Sequence, residues 1–233
     1  MKTDEDGLKC ELLSKFRRDR IITASATVAS EFVLGQTGCR SDLAIWNGNF
    51  IGVEVKSARD SLSRLPDQIN AYRRFFDRVV VLCDEIHLRK VEQLCSDEVG
   101  VYVWVDEQLQ VVRDASFNYG TDRDECVRSL SLKQLQACLG LKPSDRCSRS
   151  ELEQRIAADL SIDVRSLVVA AFETTYKTTT EAFLREISGR RIRKPHLAHL
   201  SRFAASRADA RLSLDARNDF WRRWEQQAQT LFG

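Results

Sequence analysis

The stretch from Ser41 to Lys56 constrains what this chain can fold into more than any other. Apolar residues alternate on both sides of an Asn47-Gly48 signal, the mark of two short antiparallel strands joined by a tight turn. Leu43, Ile45, Ile51, Val53 and Val55 fall on one face; Asp42, Ala44, Gly52, Glu54 and Lys56 fall on the other. Register decides what the second face can do. A loop of Asn47-Gly48-Asn49 sets Asp42 opposite Glu54, whereas a two-residue loop pairs Asp42 with Val53 and parts the carboxylates. In the first register two carboxylates and a lysine share one face with only Ala44 and Gly52 beside them. Such a set of oxygen donors suits a hard cation such as Mg²⁺.

Asp42, a gap of eleven residues, then Glu54-Val55-Lys56 resembles the signature of the PD-(D/E)xK, or restriction-endonuclease-like, nuclease superfamily. Ser41 stands where that family usually has proline. The resemblance implies that Asp42, Glu54 and the Val55 carbonyl hold Mg²⁺, with Mn²⁺ as a substitute, and that Lys56 assists the attacking water. It also points to Glu31 as an additional upstream acidic ligand, set in the apolar run Val28-Ala29-Ser30-Glu31-Phe32-Val33-Leu34. A carboxylate buried there needs a partner or a metal; a strand-end glutamate turned to solvent is the other reading. Further along, Gln68-Ile69-Asn70-Ala71-Tyr72 is similar to the Q-x-x-x-Y motif of the superfamily's exonuclease branch. By that likeness Gln68 orders the active site, and Tyr72 and Arg64 are expected to contact nucleic acid. Plain packing of Tyr72 is the alternative.

The chain order supports an α/β protein. Residues 5–19 space Leu8, Leu12, Leu13 and Phe16 as an amphipathic helix. A strand is expected in the second half of 21–34, then a turn at 35–38, then the hairpin. Pro66 opens a helix whose apolar stripe is Leu65, Ile69, Tyr72, Phe75 and Phe76. Residues 77–84 form a near-continuous apolar run, which reads as a central strand with a parallel neighbour. A helix over about 85–96, a strand over 99–105 and an edge strand over 109–112 follow. This order matches the αβββαβ core of the superfamily, a mixed central sheet flanked by helices.

From about residue 121 the apolar spacing turns helical, so the division expected is a nuclease-like core over 1–116 and a helical region over 117–233. A short helix ends at Gly140, and Ser148 with Glu151 forms a capping box for the next. This pair loosely resembles the SAP-type DNA-binding hairpin, although a plain helical hairpin is the favoured reading. Helices over about 163–187 and 195–230 follow, with Trp221, Trp224 and Phe232 as packing residues. The pair His196 and His199 reads as ordinary surface.

Net charge is +2, but residues 1–120 carry −3 and residues 121–233 carry +5. The excess lies within 186–223 and includes Arg190, Arg191, Arg193, Lys194 and Arg202, a candidate phosphate-facing surface. Seven cysteines without C-x-x-C spacing read as reduced thiols of a cytoplasmic protein, and no apolar run is long enough for a membrane helix. The function these readings favour is metal-dependent hydrolysis of phosphodiester bonds in nucleic acid, with a DNA backbone as substrate. A catalytically silent relative that only binds DNA or protein is the alternative, and a protein partner or homo-oligomer stays open.

Overall fold

The computed structural model describes residues 3–35, 37–142 and 145–201. The helix read over 195–230, with Trp221, Trp224 and Phe232, and Arg202 of the basic stretch, falls outside the described residues beyond Ser201.

Six strands form one mixed sheet in chain order: β1 (Thr27–Val33), β2 (Arg40–Trp46), β3 (Phe50–Lys56), β4 (Arg78–Asp84), β5 (Gly100–Val105) and β6 (Gln108–Arg113). The first three make an antiparallel meander, β3, β4 and β5 run parallel, and β6 returns antiparallel at the edge. Helix α1 (Glu5–Arg18) precedes the sheet, α2 (Leu65–Arg73) joins β3 to β4, and α3 (Leu88–Leu94) joins β4 to β5. Then come α4 (Arg123–Ser129), α5 (Leu132–Cys138), α6 (Arg149–Ala158), α7 (Val164–Glu186) and the short α8 (Lys194–Leu197). The protein is therefore α/β with a mixed sheet, and its described residues past 121 are helical.

The hairpin adopts the three-residue loop, because Trp46 pairs with Phe50 and Leu43 with Val53. Its two faces feed two cores. Leu43, Ile45, Ile51, Val53 and Val55 pack with Leu8, Leu12, Leu13 and Phe16 of α1. Ala44 and Phe50 pack with Tyr72, Phe75, Phe76, Val79 and Val81. The second face is less open than its small residues suggest. A Cβ on Gly52 would lie 2.1 Å from the Phe76 ring, so the glycine makes room for the aromatic.

Packing continues across the 116/117 boundary that composition suggests. Phe172 of α7 stacks on Phe50 of β3 with ring centroids 4.8 Å apart. Arg165 joins Asp77 at 2.5 Å, and the same Asp77 oxygen accepts from the Phe50 N–H at 2.6 Å. Residues 3–201, so far as described, belong to one compact unit. Helix α7 also closes the β1 edge: the Val28 N–H donates to Thr180 Oγ1 at 2.9 Å, and that hydroxyl lies 2.9 Å from the Val28 carbonyl. An open strand edge invites pairing with another chain, and here a helix occupies it. No described helix is long and apolar enough to cross a membrane, and all seven cysteines are free thiols.

Candidate functional site

At the carboxyl end of β3 the backbone ladders on both sides of β2 give way. Carried one residue past the last β2–β3 pair, Leu43–Val53, the register sets Asp42 across from Glu54. There the Val55 N–H donates to Asp42 Oδ2 at 2.6 Å, so a carboxylate stands in for a main-chain acceptor. On the other side Ser30 pairs with Leu43 and Phe32 with Ser41, which sets Glu31 across from Asp42. Glu31 has φ +57°, a left-handed conformation costly for a residue with a side chain. The result is a cleft of about 680 Å³ lined by Glu5, Glu31, Asp42, Glu54, Lys56 and Gln68, with Arg40 and Arg64 also in its wall.

Helix α2 reaches this cleft from above β3. Its Gln68 donates to Glu54 Oε1 at 2.5 Å and accepts from Lys56 Nζ at 3.0 Å. Lys56 itself donates to Glu54 Oε1 at 2.6 Å, as residues two apart on one strand face can. The Tyr72 hydroxyl donates to Glu54 Oε2 and approaches the Arg40 carbonyl at 3.1 Å. Burial, with the Glu54 charge beside it, pushes the Tyr72 phenol well up, so it stays a donor. Glu54 is thus buried yet held by three donors, the condition under which a carboxylate is tolerated inside a protein. Asp60 fixes the turn after β3 by accepting from both the N–H and the hydroxyl of Ser57, at 2.7 and 2.6 Å.

On the other side of Asp42 stands a residue that reading the hairpin overlooks. Lys9 of α1 is 3% exposed. Its ammonium lies 2.6 Å from Glu5, 3.0 Å from Glu31 and 3.5 Å from Asp42. One oxygen from each of those three carboxylates lies within 4.8 Å of the others. Burial disfavours the ammonium, but Asp42, Glu5 and Glu31 outweigh it and hold Lys9 above its ordinary range. Burial and the Glu54 charge push Asp42 up to about 7, against the pull of Lys9 and the Val55 N–H. The signal for Lys9 was its position: with Leu13 and Phe16 at four and seven residues on, it falls on the buried stripe of α1.

Asp42, Glu54, Val55, Lys56, Gln68 and Arg64 all line the one cleft. The surroundings of two of the expected residues differ from the sequence reading. Glu31 is not a buried carboxylate: its side chain is 36% exposed and is taken by Lys9 and by Arg40, whose Nε lies 2.5 Å away. Strand alternation is broken at its positive φ, and its carboxylate lies in the cleft wall between Lys9 and Arg40. Tyr72 has no exposed surface, so it cannot touch nucleic acid; helical spacing put it on the inner face, against Glu54.

The basic residues lie elsewhere, along α1. Arg191 pairs with Glu11 at 2.6 Å, Lys194 with Asp4 at 2.5 Å, and Arg190 with Glu186 at 2.9 Å. The Arg191 and Lys194 pairs, with the Arg17 contact to the Ile187 carbonyl at 2.8 Å, run residues 187–194 back along α1, while Arg190 pairs locally with the end of α7. Arg193 is exposed, and its N–H donates to His196 Nδ1 at 3.0 Å. His196 therefore caps the turn that begins α8.

The fold and cleft define a mixed α/β protein with an acidic, lysine-bearing site where its meander opens. The chain belongs to the family described as Bacteriophage P4 protein cII, whose profile matches residues 1–201. It is 28% identical to "Protein cII" of Enterobacteria phage P4 over 178 residues, 71% of this chain and 66% of that protein. The match thus spans just under two thirds of that relative's length. Among solved structures it is similar to a protein of unknown function from Silicibacter pomeroyi, with 18% identity and a TM-score of 0.38 over 50% of this chain and 75% of the other.

Proposed function

We propose that this protein is a divalent-metal-dependent phosphodiesterase of the PD-(D/E)xK type that hydrolyses nucleic acid, with a DNA backbone as its substrate. The observation that carries the reading is the convergence of Asp42, Glu54, Lys56 and Gln68 in one cleft from three separate elements. The element order α1, β1, β2, β3, α2, β4, with Asp42 on β2 and Glu54 on β3, supports the reading because it agrees with the αβββαβ order expected of a restriction-endonuclease-like core.

The donor set fits Mg²⁺ or Mn²⁺: carboxylate oxygens of Asp42 and Glu54 and the carbonyl of Val55, all hard ligands in one cleft. When bound, such an ion would supply Lewis acidity and make its bound water more acidic than bulk water. The residues of the chain do the rest. Gln68 and Tyr72 fix the Glu54 carboxylate, and the Val55 N–H fixes Asp42. Lys56 presents a positive charge beside them that can hold a phosphate oxygen or orient a water. Arg64 and Arg40 stand in the wall, where guanidinium groups can grip flanking phosphates.

A second reading has its own support. The Glu54 oxygens already accept from Lys56, Gln68 and Tyr72, and Lys9 faces Asp42, so both carboxylates of the pair have partners within the chain. A nuclease-fold protein that binds nucleic acid or a protein partner without cutting would keep such a site. Incubation with supercoiled, linear and single-stranded DNA in Mg²⁺, Mn²⁺ or EDTA separates the two. Metal-dependent cleavage, abolished by Asp42→Asn and Glu54→Gln, is the expected outcome. Binding without cleavage in every condition leaves the second reading standing.

A further inference from the structure

We propose that Lys9 is the resident cation of this cleft: its ammonium holds the place a second divalent ion would take among Glu5, Glu31 and Asp42, so the protein takes one metal ion. The inference rests on the metal-site reading of the cleft. It starts from occupancy. Oxygens of Glu5, Glu31 and Asp42 within 4.8 Å of one another could surround a small cation, since divalent ions bind oxygen at roughly 2.0–2.6 Å. The Lys9 ammonium already lies 2.6, 3.0 and 3.5 Å from those three side chains. Two cations cannot share that space.

Charge leads to the same count. Ionised Glu5, Glu31, Asp42, Glu54, Asp60 and Asp67 of the cleft sum to −6, and Lys9, Arg40, Lys56 and Arg64 sum to +4, leaving −2. One divalent ion neutralises the cleft. Two would bring it to +2, an excess that repels the second ion. Nor can Lys9 step aside easily. It is 3% exposed and flanked on α1 by the fully buried Leu8, Leu12 and Leu13, so withdrawing it means unpacking the helix from the sheet. In this view Glu5 and Glu31 serve Lys9, and Lys9 in turn orients Asp42 toward the Glu54 side as a positioning residue.

The test is metal stoichiometry on the full chain, by Mn²⁺ titration followed by electron paramagnetic resonance and calorimetry. Wild type should bind one Mn²⁺, weakened at least about tenfold by Glu54→Gln. Lys9→Met should bind two, and its thermal midpoint should rise with Mn²⁺ by more than that of wild type. Glu5→Gln and Glu31→Gln, which keep Lys9, should leave both stoichiometry and affinity near wild type; these variants carry the test if Lys9→Met does not fold. Two ions in wild type, one in a folded Lys9→Met, or loss of Mn²⁺ from Glu31→Gln would each overturn the inference and leave the phosphodiesterase reading intact. No Mn²⁺ in wild type or in any variant would overturn both.

Discussion

The Gln68 amide donates to Glu54 Oε1 at 2.5 Å, across fourteen residues of chain and from a helix to a strand. Its orientation is fixed by Lys56, which can only donate and therefore takes the Gln68 oxygen. Replacing Gln68 with leucine keeps the volume but frees both neighbours. On the proposed phosphodiesterase reading, cleavage should fall by about 10–100-fold, the usual effect of losing a residue that orients a metal ligand. Plasmid nicking rates at saturating Mg²⁺, with a circular dichroism spectrum to show the fold is kept, check this; an unchanged rate would make Gln68 a packing residue.

Tyr72→Phe removes one hydroxyl from a site with no exposed surface. Glu54 Oε2 then loses its donor inside the protein, and an unsatisfied buried group costs about 1–3 kcal/mol. Urea unfolding should show a lower midpoint with an unchanged slope.

Asp42 supplies a pH signature. Burial and the Glu54 charge push its carboxyl up to about 7, while the unfolded chain releases that proton near 4. Between those values the native state binds more protons than the unfolded one, so metal-free stability falls as pH rises. Asp42→Asn should remove a slope of at most about 1.4 kcal/mol per pH unit. Thermal midpoints from pH 4 to pH 7.5 in EDTA compare the two; parallel curves would mean Asp42 is ionised throughout.

Gly52→Ala tests the close approach of β3 to Phe76 in the segment between α2 and β4. The added Cβ meets the Phe76 ring at 2.1 Å, and Phe76 is itself enclosed by Phe50, Tyr72 and Phe75. Overpacking of this kind costs about 1–3 kcal/mol. The double variant Gly52→Ala with Phe76→Leu should recover part of the loss if the clash is the cause.

Replacing Arg190, Arg191, Arg193 and Lys194 together by alanine addresses nucleic-acid grip. Three of these cations have acidic partners, but exposed pairs are easily exchanged for phosphate. On the proposed reading, DNA affinity drops evenly across sequences, and the salt dependence flattens by roughly one unit of slope per lost contact. Unchanged affinity with an unchanged slope would leave these residues as the strap that holds 187–194 to α1.

Much of the fold was legible because it depends on short-range pattern. Alternation around Asn47-Gly48 delivered the hairpin, the apolar run at 77–84 the central parallel strand, and Ser148 with Glu151 the start of α6. Glu54 and Lys56 could be placed on one strand face for the same reason, whereas Gln68 was reached through the likeness of Gln68-Ile69-Asn70-Ala71-Tyr72 to a Q-x-x-x-Y motif. The strand order of the meander, too, follows from its short connections.

What the sequence by itself determined, then, is the strands and most of the helices up to α7, since periods of 2 and 3.6 residues are properties of a local backbone. Tertiary structure alone decided three things. It brought Lys9 of α1 to the far side of Asp42, a contact between residues 33 positions apart that no local period encodes. It set Glu31 at a left-handed φ with its carboxylate between Lys9 and Arg40 in the cleft wall, a choice between core and solvent that the strand pattern left open. And it joined α7 to the sheet through Phe172 on Phe50 and Thr180 on Val28, so that the helices after residue 121 complete the core. Each depends on which apolar surfaces meet, and burial selects that only when the whole chain is present.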